Sequence, residues 1–119
     1  SYTLLDFSPR MLELSRQRLS RFSNTSFTEA NFRSRDWSTN LSGRFTAILA
    51  MQSVHEIRHK RHVPGLYRGF AELLVPAGVL AVCDGKPRDP SVLSHVNLYM
   101  TREEQLAAFA SAGFRDARV

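Results

Sequence analysis

Short apolar runs of strand length alternate along this chain with segments of helical periodicity, and that alternation leaves few folds open. Tyr2–Asp6, Thr25–Glu29, Phe45–Met51 and Val79–Asp84 read as strands. The third of these is continuously apolar, as expected for a strand buried on both faces. The segments between them read differently. Ser8 is placed to cap a helix with Pro9 at its first position, where a missing N–H costs nothing. Beyond it Met11, Leu12, Leu14, Ser15, Leu19 and Phe22 fall on one side at helical spacing, and Arg10, Glu13, Arg16, Gln17 and Arg21 on the other. Pro64–Leu74 predicts a second helix with Leu66, Phe70, Leu73 and Leu74 inward, broken by Pro76 and Gly78. Strands separated by helices imply an α/β fold with a mostly parallel sheet.

The last third carries the clearest helix signal. Thr101 and Glu104 form a capping-box pattern ahead of a helix to Ala112, and Gly113 stands where a left-handed C-terminal residue belongs. The stretch from Gly85 to Leu98 reads as a Pro-containing loop, and Phe114–Val119 as the beginning of a further strand. No repeat, low-complexity tract or interdomain linker interrupts the pattern.

Bulk properties narrow the class further. An apolar content of 43% in 119 residues suffices for a core. No apolar run approaches the roughly 18 residues that would cross a bilayer, so no membrane partner is expected. Cys83 is the one cysteine, which excludes an internal disulfide and fits a cytoplasmic setting; in a strand it should be buried and inert. The net charge of +5 rests on 16 basic residues, of which only Lys60 and Lys86 are lysines. The arginines are scattered, and the densest cluster is Arg58–His62. Without a recognition module or interleaved aromatics, nucleic acid is not the expected partner.

The residues with chemical content lie at strand ends. Asp6 closes the first strand just before a helix. In a parallel sheet that end opens into the ligand crevice, and a carboxylate there can accept from both hydroxyls of a ribose. Its bland alternative is a helix cap. His55-Glu56-Ile57-Arg58-His59 fits the His-Glu-x-x-His pattern of zinc peptidases, which on a helix puts both imidazoles on one face. Against a metal stand the adjacent charges of Arg58, Lys60 and Arg61, the helix-breaking Pro64, and the lack of a third ligand at familiar spacing, although His62 and Glu72 are conceivable. No metal is expected here. His55 is instead a candidate general base, with Glu56 and Tyr67 as weaker candidates. His95 and Tyr99 could line an entrance.

Leu4-Leu5-Asp6-Phe7-Ser8-Pro9-Arg10-Met11-Leu12, Phe27-Thr28-Glu29-Ala30-Asn31-Phe32, Phe45 through His55, and Leu74-Val75-Pro76-Ala77-Gly78 occur in the order of one known architecture. In these features the chain resembles the class I S-adenosylmethionine-dependent methyltransferases, particularly their small-molecule enzymes. The resemblance implies a Rossmann-like α/β sheet flanked by helices, S-adenosyl-L-methionine as cofactor and a small-molecule substrate. It implies that Asp6 holds the cofactor's ribose, with Phe7 and Met11 in the same cofactor-binding set. Asn31 would meet the adenine where the family usually has Asp, and Phe32 would pack on the base. Met51 and Gln52 would approach the methionine end. Three further departures stand out: Thr46 where an acidic residue is common, Pro-Ala-Gly for Pro-Gly-Gly, and no counterpart to the family's first strand and Gly-x-Gly loop.

The expectation is therefore a partial methyltransferase domain over residues 1–119, from the family's second strand to about its sixth and incomplete at both ends. Unpaired sheet edges would then favour self-association. A cofactor-less remnant or binding module stays open as an alternative, and a zinc metallopeptidase as a weaker one.

Overall fold

A computed structural model describes residues 1–87, 89 and 91–119. They form two compact units, Ser1–Ser42 and Gly43–Val119. Each is built on a two-stranded parallel sheet.

In the first unit, β1 (Tyr2–Asp6) pairs in parallel with β2 (Thr25–Glu29), Tyr2 opposite Thr25 and Asp6 opposite Glu29. The crossover is α1 (Pro9–Arg18). Its start follows from the sequence: Ser8 is extended, its hydroxyl accepts from Met11 N, and Pro9 opens the helix. The core face is narrower than the periodicity suggests. Leu12 is fully buried, with Ser15 and Leu19 half-buried, whereas Met11, Leu14 and Phe22 are exposed. A helix facing a sheet of two strands has only a narrow surface to bury itself against, so the flanking positions stay in solvent. The Arg16 guanidinium lies over the Phe27 ring at 5.4 Å.

In the second unit, β3 (Phe45–Met51) pairs in parallel with β4 (Leu74–Cys83). Two 3-10 turns, Val54–Ile57 and Lys60–His62, lead from β3 into α2 (Val63–Leu73). Helix α3 (Leu93–Leu98) lies within the stretch expected to be a loop; the helix is three residues past Pro90, one of two positions there (88 and 90) outside the described residues. Helix α4 (Arg102–Ser111) carries both halves of its capping box. Glu104 N donates to the Thr101 hydroxyl, and Thr101 N donates to the Glu104 carboxylate. Gly113 has a φ of +89°, the left-handed conformation expected of it.

Pro76 and Gly78 interrupt the ladder rather than precede it. Between paired positions β3 advances from Phe45 to Ala47 while β4 advances from Leu74 to Val79, so Pro76-Ala77-Gly78 loops out. Ala77 has a φ of +63°, and a Cβ on Gly78 would stand 2.9 Å from Val75 O. Arg44 ties the same corner, donating to Glu72 O at 2.8 Å and Leu74 O at 3.2 Å.

The core of this unit is Ala50, Val54, Val63, Leu66, Tyr67, Phe70 and Leu74 with Ala108, Phe109 and Ala112 of α4 and its cap. Tyr67 stacks on Phe109 with centroids 4.7 Å apart. Helix α2 packs on β4 and on α4, which covers one side of the sheet. The other side corrects two expectations. Leu49 and Met51 are 66% and 62% exposed, so β3 is not buried on both faces. Cys83, opposite Met51, is exposed rather than buried. The expected strand at Phe114–Val119 is absent among the described residues. Phe114 N instead closes on Phe109 O at 3.0 Å, and Asp116 at a φ of +56° turns the chain away from extension.

The Lys60 ammonium pairs with the Glu104 carboxylate and holds its pKa below the ordinary carboxylate value. A depressed folded-state pKa contributes stability above the ordinary value and loses it as pH falls through the folded one. Lys60→Met is therefore expected to cost roughly 0.2–1 kcal/mol at neutral pH and progressively less below the ordinary carboxylate range. Denaturant midpoints of both proteins across pH measure that difference.

Candidate active site

Both sheets end, at the carboxyl ends of their strands, in an aspartate that organises the following turn. In the first unit that residue is Asp6. Its Oδ1 accepts Ser8 N at 2.8 Å, which fixes the entry into α1, and its carbonyl accepts Ala30 N at 3.0 Å. The second bond ties the ends of β1 and β2 together and puts Asn31 beside the strand terminus. Asp6 Oδ2 accepts no hydrogen bond among the described residues. Phe7 and Met11, on either side of the helix start, are 54% and 49% exposed.

Asn31 is committed locally: its Oδ1 accepts Arg33 N at 3.0 Å and its carbonyl accepts Ser34 N at 2.9 Å. That turn narrows what the side chain can accept. Phe32 is half-buried, edge-on to Trp37 at 5.1 Å.

In the second unit Met51 ends β3, and Gln52 N donates to Cys83 O at 2.7 Å. Gln52 and Arg58 both adopt left-handed φ, +51° and +66°, and bracket the turn that carries His55. Strain of that kind in non-glycine residues collects at functional sites. Val54, buried, anchors the turn.

His55 meets a residue that sequence reasoning did not single out. Asp84, immediately after β4, accepts His55 N through Oδ2 at 2.8 Å, and its Oδ1 lies 2.6 Å from His55 Nδ1. The same Oδ1 accepts Gly85 N at 2.7 Å. Asp84's side chain is 10% exposed and that of His55 23%. His55 Nε2 lies 3.6 Å from Glu56 Oε1. The signal for Asp84 was present in the sequence: an apolar strand closed by a carboxylate, the same pattern that drew attention to Asp6.

Tyr99 flanks His55 with ring centroids 5.7 Å apart, and His95 flanks Tyr99 at 6.3 Å. Tyr99 presses so closely on Gly85 that a Cβ there would lie 2.5 Å from its ring. His95 Nδ1 is buried with no hydrogen-bond partner among the described residues. Tyr67 is fully buried, and burial pushes its hydroxyl well above the ordinary phenol range despite the bond donated by the Gln105 amide. Tyr67 also feels the charge of Asp84, which adds to the rise of its pKa.

The His-Glu-x-x-His pattern loses its helical premise. His55 and Glu56 sit in one 3-10 turn, Arg58 is left-handed, and His59 is extended, capping the next turn through its ring nitrogen. The two imidazoles therefore do not share a helix face. Among the described residues no group of three or more His, Cys, Asp or Glu side chains could hold a metal ion.

Residues 1–80 match the methyltransferase domain family. The chain belongs to that family. The methyltransferase domain also resembles solved structures. DesVI of Streptomyces venezuelae shares 25% identity and a TM-score of 0.60, over 74% of this chain and 35% of that one. The N-methyltransferase NodS of Bradyrhizobium japonicum WM9 shares the fold, with 16% identity and a TM-score of 0.71 over 91% of this chain and 57% of that one. The chain thus spans about a third and just over half of the two structures' lengths. No curated protein matches it. No helix among the described residues is long and apolar enough to cross a membrane.

Because the two imidazoles lie on separate turns, protein purified without a histidine tag is expected to carry less than stoichiometric zinc by elemental analysis. One tightly held zinc, lost in His59→Ala, would contradict this geometry.

Proposed function

We propose that the protein carrying this domain transfers a methyl group from S-adenosyl-L-methionine to a small-molecule acceptor. The observation that carries the reading is Asp6: a half-buried carboxylate at a parallel strand's carboxyl end, with Oδ1 engaged by Ser8 and Oδ2 unpartnered among the described residues. A cis-diol offers two donors, and Oδ2 together with the second lone pair of Oδ1 supplies two acceptors. The exposed apolar side chains of Phe7 and Met11 suit a nucleoside surface. The residues present therefore fit the group.

In this reading Asp6 holds the ribose, with Phe7 and Met11 beside it, and Asn31 and Phe32 meet the adenine. Asn31 acts there mainly as a donor, since its Oδ1 already serves Arg33. Met51 and Gln52 approach the methionine end. When bound, the cofactor supplies an electrophilic methyl group on a sulfonium. The chain's own contribution is then positioning and proton handling at His55. A small-molecule acceptor is what the sequence's resemblance to the small-molecule methyltransferases supports. A cofactor-free binding role would use Asp6 as a turn residue only, and substitution separates the two.

Asp6→Ala in the full-length protein is expected to weaken S-adenosylhomocysteine binding about ten- to a hundredfold by calorimetric titration, since bonds to charged groups contribute roughly 1.5–3 kcal/mol each. Asp6→Asn keeps an acceptor for Ser8 and should lose less. Unchanged affinity in a folded Asp6→Ala protein reduces Asp6 to a turn residue and removes the reading's main support.

A further inference from the structure

Asp84 has more bonding than a turn residue needs. It receives Gly85 N, as the turn requires, and also takes both the backbone N–H and the ring nitrogen of His55, a residue from the other strand's loop. An aspartate that grips one histidine by main chain and side chain together fixes the ring in position and in rotamer. It also fixes the tautomer. A carboxylate oxygen 2.6 Å from Nδ1 can only accept, so in the neutral ring Nδ1 carries the proton and Nε2 the lone pair.

We propose that Asp84 is the positioning residue of His55, holding the neutral imidazole as its Nδ1–H tautomer so that Nε2 takes the acceptor's proton. The proposal rests on the methyl-transfer reading above. Methylation of an N–H or O–H acceptor releases one proton. Nε2 receives it, the ring becomes an imidazolium whose Nδ1–H still donates to Asp84, and the proton then passes to water. Asp84 Oδ1 keeps its bond to the ring through the transfer, and Glu56 Oε1 lies 3.6 Å from Nε2. Tyr99, 5.7 Å from the His55 ring and pressed on Gly85, closes one side of the imidazole. The left-handed Gln52 and Arg58 hold the turn between them in the shape that brings His55 N to Oδ2.

The arrangement is testable without turnover. Long-range proton–nitrogen spectra of full-length protein labelled at histidine nitrogens should show neutral His55 with its proton on Nδ1. Asp84→Asn can keep one acceptor for His55 N but presents an amide N–H to the ring, and should shift the proton to Nε2. In the methyl-transfer assay the same variant should lower kcat on the order of ten- to a thousandfold with little change in acceptor KM. His55→Gln should lose a similar factor, and the double variant no more than the larger single loss, because the two act as a unit. Affinity for S-adenosylhomocysteine, measured in parallel, should not change in Asp84→Asn. Loss of that affinity in the wild type strikes at the methyl-transfer reading and leaves the tautomer result standing. An Nε2–H tautomer in the wild-type protein overturns the proposal even if Asp84→Asn fails to fold. A folded Asp84→Asn protein with unchanged kcat overturns it as well.

Discussion

The carboxylate of Asp84 is the constraint on which the geometry of the second unit depends. Chain leaving β3 and chain leaving β4 have no ladder beyond Met51 and Cys83 to hold them. The bridge between Gln52 N and Cys83 O continues the pairing for one more step, and Asp84 then reaches across to His55. Without that reach the two left-handed residues around the 3-10 turn would carry their strain with nothing to offset it. With it, the turn that carries His55 is held to the end of β4.

The two strand-end aspartates divide the chemistry between them. Asp6 serves its own turn with one oxygen and leaves the other without a protein partner. Asp84 has both oxygens engaged, one of them twice. A carboxylate with a spare oxygen has room for a ligand's hydroxyls, whereas one already engaged through both oxygens holds its neighbours still. The same local pattern, an apolar parallel strand closed by Asp, thus supports a binding role in one unit and a positioning role in the other. What separates them is how many N–H groups the surrounding loops deliver.

Much of this was legible in the sequence because it depends on short-range rules. Ser8 with Pro9, Thr101 with Glu104, and Gly113 each fix a helix end through bonds within a few residues, and each appears where those rules put it. What depends on distant packing was not. The exposure of Leu49, Met51 and Cys83 follows from how much of the β3–β4 sheet is covered, which no local pattern encodes. Phe114–Val119 has strand-like composition but no ladder, since a strand exists only with a partner. The pairing of His55 with Asp84 spans a loop, two turns, a helix and a strand. From the sequence His55 stood out as a candidate base without a partner, and the helical premise of His-Glu-x-x-His failed at Arg58, whose left-handed backbone leaves no mark in composition.

Backbone amide mapping tests the central claim most directly. In spectra of the full-length protein titrated with S-adenosylhomocysteine, shifts should concentrate at Asp6, Phe7 and Met11, at Asn31 and Phe32, and at Met51, Gln52 and His55. Saturable binding that leaves the Asp6–Phe7 amides unmoved, or no binding at all, would contradict the account.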